Sequence, residues 1–354
     1  MQINSVSNIL LRWYDNNKRD LPIRLTKDPY KIWISEIMLQ QTQMKTAIPY
    51  YIRWIDKFPT LESVAKAKSD RILKLWEGLG YYRRCLNFHK ASKIVIDKYD
   101  GRIPSDYESF KALPGVGEYT VGAVLSIAFG VALPAIDGNV NRVMSRFNGI
   151  KNLTKRNKDI LYNCIVSLFN KSDPGDINQA LMEIGALLCV PKNPLCNKCP
   201  LSNNCKAFKN GNPELYPIKI KRLPKPHFTV VTAIIWRKEK FYIQKRSQKK
   251  MLGGLWEFPG GKVEKGESLK NALIREIEEE CHFTPNIIKK ATSIAHAYSH
   301  FSITMHCYHC REKEKKISDQ STSNWITVND IPKYSFPKAN HKIFNFMNKN
   351  DWNI

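Results

Sequence analysis

The sequence predicts a multidomain protein in which a nearly all-α domain is followed by a smaller α+β domain. Up to about Phe208, apolar residues recur at intervals of three and four, as between Ile9 and Trp13, which is typical of amphipathic helices. The segment 217–226 carries three prolines and four basic residues and has no helical period. Beyond it, apolar and polar residues alternate as they do in β-strands.

The domain boundaries follow from this change of pattern. We place the helical domain at residues 1–215, a linker at 216–227 and the α+β domain at 228–354, because proline-rich and charged segments mark such boundaries. The chain of 354 residues is long enough for each domain to bury its own core. The elements expected in the second domain are two strands, one helix and a further strand, at Phe228–Trp236, Phe241–Lys245, Glu267–Glu280 and Ser293–Cys310.

The most apolar stretch of the chain is Thr120–Ile136, which we interpret as a buried helix. It is too short and too often interrupted for a membrane span. The N-terminus lacks the basic start and apolar run of an export signal. We therefore expect no membrane association and a cytoplasmic location, with the nucleoid as the site in a prokaryote, although an organelle or a nucleus stays open.

The chain is strongly basic, with a formal net charge of +24, and both halves contribute to the excess. A positive surface of this size attracts polyanions and speeds encounter with them. Nucleic acid is the leading partner, and an anionic membrane surface is the second. The plainest alternative is a basic protein without such a partner.

Four cysteines lie in one short segment broken by prolines, with six, two and five residues between them: Cys189, Cys196, Cys199 and Cys205. Thiolates so close in sequence hold a zinc ion or an iron–sulfur cluster, and disulfides are not expected without an export signal. The spacing favours the cluster, because only Cys196 and Cys199 form a short pair. A second cysteine and histidine run, His306–Cys310, continues an alternating pattern and is predicted to be a strand rather than a metal site.

A glycine-rich turn at Leu113, Gly115 and Gly117 joins two helical stretches. Glycines there let backbone N–H groups approach a phosphate without a Cβ atom in the way. The turn resembles a helix-hairpin-helix, which contacts DNA without reading its sequence. The alternative is an ordinary connection between helices.

Two carboxylates have contrasting surroundings. The helical neighbours of Glu36 are Ile32, Trp33 and Leu39, and an apolar face raises the pKa of a carboxyl. Asp137 lies in a polar turn before a helix, where an N-cap is the plain interpretation. One protonated and one ionised carboxyl are what acid-catalysed cleavage of a glycosidic bond requires.

With the hairpin, the Gly/Asp turn and the cysteine quartet in this order, residues 1 to about 210 resemble the endonuclease III superfamily of DNA glycosylases. Within it, Ser35–Thr42 and Leu79–Tyr82 are similar to adenine glycosylases of the MutY type, which remove adenine mispaired with 8-oxoguanine. The resemblance implies a helix-hairpin-helix glycosylase core with a [4Fe–4S] cluster on the four cysteines. It implies duplex DNA with A·8-oxoguanine or A·G mispairs as the partner, and we expect a monomer.

The resemblance also assigns roles to residues. Glu36 would protonate N7 of adenine, and Asp137 would stabilise the oxocarbenium-like sugar, with Tyr119 and Asn139 completing the pocket. Because Tyr119 stands where the lyase branch carries its lysine, a monofunctional glycosylase is expected, and the alternative is a bifunctional glycosylase and lyase. One departure is Ile23, where the family commonly has tryptophan.

Further positions match family residues that contact DNA. Leu39, Gln41 and Tyr81 correspond to side chains that penetrate the helix near the lesion, which offsets the cost of base flipping. In the second domain, Tyr298, Ser299 and His300 align with a loop that contacts 8-oxoguanine, although the family has phenylalanine in place of Tyr298.

The second domain carries a nearly whole Nudix box, in which helix carboxylates bind Mg²⁺ on a nucleoside diphosphate. Its positions in this sequence are Gly261, Glu267, Arg275, Glu276, Glu279 and Glu280. We take Glu276, Glu279 and Glu280 as a possible Mg²⁺ site. MutY-type proteins carry a Nudix-like domain that recognises 8-oxoguanine, usually with a decayed box. Additional pyrophosphohydrolase activity on oxidised dNTPs is thus an alternative function, and His282 replaces the last box glycine.

Overall fold

The computed structural model describes residues 3–169, 173–218, 224–247, 251–312, 322–350 and 352. It divides into two compact units. Met1–Ala67 and Asn87–Lys221 form the first, and Lys68–Leu86 and Arg222–Ile354 form the second. The domain boundary expected at 216–227 remains a prediction, and residues 219–223 of that linker lie outside the described residues.

The chain before residue 210 is helical, which confirms the predicted class of this part. Its helices are α1 (Ile3–Asn17), α2 (Pro29–Leu39), α3 (Met44–Lys57), α4 (Leu61–Lys66), α5 (Ser69–Trp76), α6 (Tyr82–Lys98), α7 (Tyr107–Lys111), α8 (Glu118–Phe129), α9 (Gly138–Asn148), α10 (Lys155–Leu168), α11 (Pro174–Leu187) and α12 (Lys206–Lys209). Helix α5 and the first turns of α6 belong to the second unit. In the described residues, no helix has the length and apolar composition to cross a membrane.

The helices that later form the site begin at side-chain caps. Asp28 accepts hydrogen bonds from the backbone N–H groups at the start of α2, and Asp137 and Asp173 do the same for α9 and α11. Such caps satisfy backbone donors that have no partner inside the helix. The starts of these helices are therefore fixed by local sequence.

The core of the first unit lies between α1, α9, α10 and α11, where Leu10, Val140, Ile165 and Ile184 are fully buried. Helix α8 is also largely buried, as is α2. Helix α8 ends at Gly130, which has a left-handed φ of 69°, so the expected single helix over Thr120–Ile136 is wrong at its C-terminal end. A glycine in this conformation stops a helix, because its N–H caps the last carbonyl groups.

The second unit is built on one mixed sheet. Its strands are β1 (His227–Arg237), β2 (Lys240–Lys245), β3 (Trp256–Glu257), β4 (Gly260–Lys262), β5 (Pro285–Ala297), β6 (Ser302–Glu312) and β7 (Ser323–Ile326). The order is β3-β2-β1-β6-β5, with β4 paired to β1 and β7 to β2. Among the strand pairs that the structure describes, only β1 and β6 run parallel. The expected strand Ser293–Cys310 is in fact the end of β5, a turn and most of β6.

Two helices cover the sheet, α13 (Leu269–Cys281) and α14 (Lys338–Lys349). Leu273 and Ile277 of α13 pack on one face, and Ile343 and Phe344 of α14 pack on the other. Ser268 caps α13, so the predicted helix begins two residues later than expected. His282 ends α13 with a left-handed φ of 58°.

Segment 68–86 is held against the rest of the second unit by polar contacts. Glu77 accepts hydrogen bonds from the backbone N–H of Phe336 at 2.7 Å and from the ring of His341 at 2.8 Å. Lys74 donates to the carbonyl of Tyr334 at 2.7 Å. The turn that carries Tyr81 is thus anchored within this unit.

Candidate active site

The first unit contains a cavity of about 1390 Å³ bordered by α1, α2, α8, α11 and the start of α9. Most of the residues singled out in this part of the sequence line it: Glu36, Leu39, Gln41, Gly115, Gly117, Tyr119, Asp137 and Asn139. Ile23, the departure from the family pattern, lines it as well. A cavity that collects convergent polar groups is the expected place for substrate.

Glu36 is the buried acid of this cavity, with 7% of its surface exposed. Burial raises its pKa from 4.5 to about 7, and the charge of Asp137 adds to the rise. The hydroxyl of Tyr119, which donates to Oε2 at 2.5 Å, and the charge of Arg24 oppose it. A carboxyl with a pKa near neutrality can both give and take a proton at physiological pH.

Tyr119 orients this acid. It stands at the second position of α8, directly after the hairpin, and its hydroxyl also contacts Sδ of Met182 at 3.4 Å. Burial and the nearby Glu36 raise the pKa of Tyr119 well above its usual value, so the phenol stays a hydrogen-bond donor. No amine nucleophile is available at this position, because the residue is a tyrosine.

Asp137 is both the N-cap of α9 and a wall of the cavity. Its Oδ1 accepts the backbone N–H of Val140 at 2.7 Å, and its Oδ2 accepts the side-chain amide of Asn139 at 2.9 Å. Arg142 in turn donates to Oδ1 of Asn139 at 2.9 Å. Two donors on the carboxylate, one per oxygen, fix its orientation toward the cavity.

Sequence reasoning missed Glu183, the other buried carboxylate of the cavity. Arg19 donates to both of its oxygens at 2.7 Å, and Arg24 donates to Oε2 at 2.6 Å. Burial alone would raise the pKa of Glu183, but these bonds lower it to about 2. The sequence did contain a signal for Glu183. Its helical neighbours Ala180 and Leu187 are apolar, as the helical neighbours of Glu36 are.

The hairpin connects α7 and α8 as predicted. Leu113 is buried and accepts the N–H of Val116 at 3.1 Å, while Gly115 and Gly117 are exposed. Gly115 has a left-handed φ of 81°, and a Cβ atom there would lie 2.8 Å from Cβ of Asn87. The turn therefore requires glycine at this position.

The four cysteines of the loop after α11 lie near one another. Burial, with the sulfur atoms of Cys189, Cys205 and Cys196 nearby, raises the pKa of Cys199 to about 11 despite a hydrogen bond from the backbone of Leu201. Thiols in this state become ligands only when a metal displaces their protons.

Arg146 joins this loop to the helical core. Its guanidinium donates to Sγ of Cys189 at 3.3 Å, and its carbonyl accepts the thiol of Cys205 at 3.4 Å. Within the described ranges, no three His, Cys, Asp or Glu side chains are close enough to hold one metal ion.

The remaining DNA-contact candidates belong to the second unit. Tyr81 has a left-handed φ of 49°, and its hydroxyl is hydrogen-bonded to the hydroxyl of Ser299. Tyr298 is partly buried and packs on Phe301 at 4.9 Å, whereas His300 is exposed. The structure thus brings Tyr81 together with the predicted loop, a proximity that sequence did not predict.

The Nudix carboxylates are engaged by protein groups. Arg275 donates to Glu267 at 2.9 Å, to Glu276 at 3.0 Å and to Glu279 at 3.4 Å. Glu280 accepts the backbone N–H of Gly260 at 3.1 Å. In this arrangement the side chains of the box hold the loop before α13 in place. The described carboxylates do not surround a common point.

Comparison with known proteins agrees with this geometry. Residues 34–163 match the family described as HhH-GPD superfamily base excision DNA repair protein, and residues 230–346 match the NUDIX domain. A thermostable thymine-DNA glycosylase of known structure is 30% identical with a TM-score of 0.55, covering 59% of this chain and 97% of its own. The fold and the cavity define a base-excision DNA glycosylase core followed by a Nudix domain.

Similar proteins of known name identify the kind of DNA glycosylase. Adenine DNA glycosylase of Buchnera aphidicola from Schizaphis graminum is 39% identical, over 86% of each chain. The Acyrthosiphon pisum counterpart is 34% identical over 97% of this chain and 98% of its own, and the human protein is 31% identical over 95% and 72%. The chain belongs to the adenine DNA glycosylase family, as its motifs predicted.

Proposed function

We propose that the protein hydrolyses the N-glycosidic bond of adenine mispaired with 8-oxoguanine or guanine in duplex DNA, leaving an abasic site. The observation that carries this is the pair of carboxyls in one cavity, Glu36 with a pKa of about 7 and Asp137 held by two donors. Membership of the adenine DNA glycosylase family supports adenine as the base.

The reaction needs a proton on the leaving base and a negative charge near the sugar. Glu36 gives its proton to N7 of adenine, the bond from the base to C1′ breaks, and its electron pair leaves with the base. The Asp137 carboxylate stabilises the positive charge on the sugar. Glu36, now ionised, then takes a proton from the water that attacks C1′. The hydroxyl of Tyr119 holds Glu36 in place throughout.

A monofunctional reaction follows from Tyr119, since a phenol cannot form the Schiff base that a lyase uses. The bifunctional alternative predicts broken strands in product kept free of base and heat. Intact abasic strands under these conditions, and strand breaks only after alkali, are the expected result.

We propose that Leu39, Gln41 and Tyr81 penetrate the duplex near the lesion pair, and that the loop of Tyr298, Ser299 and His300 contacts 8-oxoguanine. The hydrogen bond between Tyr81 and Ser299 supports a joint role for Tyr81 and this loop. We expect the protein to act as a monomer on duplex DNA in the cytoplasm, and at the nucleoid if the cell is a prokaryote. Its net charge of +24 supports the DNA association.

We propose that Cys189, Cys196, Cys199 and Cys205 hold a [4Fe–4S] cluster. The fit rests on four neighbouring thiols with donors around them, including the guanidinium of Arg146 on Cys189. Bound there, the cluster would tie the loop to α9 and serve as a structural group. Iron and sulfide analysis checks this, with four irons per chain expected, loss in Cys199→Ser and retention in the matched variant Cys164→Ser. Stoichiometric zinc would contradict it.

Binding of Mg²⁺ by Glu276, Glu279 and Glu280 stays a prediction. Arg275 now pairs with two of these carboxylates, so an ion would have to displace it. Titration with Mg²⁺ in the wild type and in Glu279→Gln tests this, and we derive no hydrolytic step from the box.

The test of the main proposal is adenine release from a duplex with one A·8-oxoguanine pair. The wild type is expected to release adenine, and Glu36→Gln to be slower by at least the ~10²–10⁴ typical of general acid catalysis. The control Glu62→Gln, on the surface of α4, should match the wild type. Binding of the duplex without release by the wild type would refute the proposal.

A further inference from the structure

In the part of the chain that the structure describes, helix α8 begins without a side-chain cap. Helices α2, α9 and α11 start at aspartates, whereas the residue before α8 is Gly117, which has no side chain to accept the first N–H groups. These donors and the positive end of the helix can therefore interact with an anion. The hairpin glycines Gly115 and Gly117 are both exposed, as contact with a DNA phosphate requires.

A carboxylate of the same chain lies at this helix start. Glu118 is the first residue of α8, its side chain is 72% exposed, and it lines the glycosylase cavity together with the two glycines. Lys111 of α7 donates to its Oε1 at 2.5 Å, and the hydroxyl of Tyr107 donates to its Oε2 at 2.8 Å. The bonds from Lys111 and Tyr107 lower the pKa of Glu118, so its carboxyl group is negatively charged at neutral pH.

The donors around Glu118 are also suited to a phosphate. Proteins contact the DNA backbone through lysine and tyrosine side chains, backbone N–H groups and helix N-termini. All of these lie near the start of α8, but the carboxylate of Glu118 already accepts hydrogen bonds from Lys111 and Tyr107. Its negative charge also repels a phosphate that approaches the hairpin. A duplex that binds at the hairpin therefore meets a competing anion.

We propose that Glu118 competes with DNA phosphates for Lys111 and Tyr107, and that it thereby limits the affinity of the protein for undamaged duplex. Glu118 is then a residue that sets DNA affinity and takes no part in the chemical step. Contacts with the DNA backbone are the same with and without a lesion, so weakening them shortens the residence of the protein where no mispair is present. The inference rests on the proposed action on duplex DNA.

Fluorescence anisotropy of the full chain with an undamaged duplex, between 50 and 200 mM salt, tests this. Glu118→Gln should bind roughly tenfold more tightly at 50 mM salt, because Lys111 becomes able to neutralise one more phosphate. For the same reason, its plot of log affinity against log salt should be steeper by about 0.9. The matched control is Glu108→Gln, which removes an equal charge from an exposed residue of α7 and should keep the wild-type slope.

A second variant identifies the group that is released. Adding Lys111→Met to Glu118→Gln should restore the wild-type slope, because the extra positive charge is then gone. A steep slope that persists in the double variant would refute the role of Lys111. If the wild type binds duplex and Glu118→Gln has the same affinity and slope as Glu108→Gln, this inference alone is wrong. If the wild type binds no duplex, the proposed function and this inference are both wrong.

Discussion

At the scale of single residues, the raised pKa of Glu36 has one consequence for catalysis and another for stability. The acid must be protonated to act, and burial raises its pKa to about 7. The single-turnover rate of adenine release is therefore expected to fall as the pH rises through about 7, roughly tenfold per pH unit above it. A rate that stays constant between pH 6 and pH 9 would contradict the role of Glu36 as the acid.

The same shift affects folding with a defined sign. The folded protein holds the Glu36 proton more tightly than the unfolded chain, whose carboxyl has a pKa near 4.5. The contribution of this group to the free energy of unfolding is therefore full below pH 4.5 and is lost as the pH rises through about 7, in total about 3 kcal/mol. Chemical unfolding of Glu36→Gln against pH should lack this loss, because glutamine does not titrate.

For Glu183 we expect the opposite dependence of stability on pH. Its pKa is lowered to about 2, so its contribution to stability is present above about pH 4.5 and is lost as the pH falls toward 2. Glu183→Gln leaves Arg19 and Arg24 without their anion. Because Arg19 is about one-third exposed, we expect the lower end of the usual range, a loss of about 3 kcal/mol at pH 7. Urea unfolding beside Glu62→Gln measures it, and equal stability of the two variants would contradict the prediction.

The sequence revealed some of these residues and not others for a physical reason. Glu36 was identified because its neighbours in the same helix are apolar, which is a local signal. Its bond to Tyr119, 83 positions away, depends on the packing of α2 against α8 and could not be derived from spacing. Glu183 has the same local signal as Glu36, but its partners Arg19 and Arg24 come from a distant loop.

At the scale of elements, the hairpin offers a matched pair of glycines. Gly115 has a left-handed φ and a close neighbour in Asn87, whereas Gly117 has open space around its Cβ position and a φ of −102°. Gly115→Ala is therefore expected to lower the free energy of unfolding by about 1–2 kcal/mol through backbone strain alone. The close contact of the new Cβ atom with Asn87 comes in addition to this strain. Gly117→Ala should fold as the wild type does.

Thermal unfolding and binding to an undamaged duplex together check the hairpin. Gly115→Ala should lower both the melting temperature and the affinity. Gly117→Ala should lower only the affinity, since a methyl group there stands between backbone N–H groups and a phosphate. If Gly117→Ala binds as tightly as the wild type, that glycine is not at the DNA interface.

The elements themselves were predictable where the pattern was strong and local. The hairpin, the strands β1 and β2 and the helix α13 follow from periodicity and turn residues. The end of α8 at Gly130 was missed because the apolar run continues beyond it into residues 131–136, which are not helical and of which only Pro134 and Ala135 are buried. The alternation of apolar and polar residues gives no sign of the turn at residues 298–301, and only the family resemblance indicated a loop there.

At the scale of the whole molecule, the sequence predicted the class of each domain but not how the first half is divided. Segment 68–86 belongs to the second compact unit, although helical periodicity gives no sign of it. The contacts responsible, such as Glu77 with His341, join residues more than 250 positions apart. Such pairings depend on tertiary packing, which no local pattern encodes.

The net charge of +24 is a property of the whole chain and predicts the salt dependence of DNA binding. Each phosphate that Lys or Arg neutralises releases counterions, so the logarithm of the affinity falls linearly with that of the salt concentration. With about 6–10 phosphate contacts, affinity for an undamaged duplex should fall by roughly 10³–10⁵ between 50 and 200 mM salt. Fluorescence anisotropy across that range measures the slope. A flat profile would mean that the positive charge does not face DNA, and the charge argument for a nucleic-acid partner would fail.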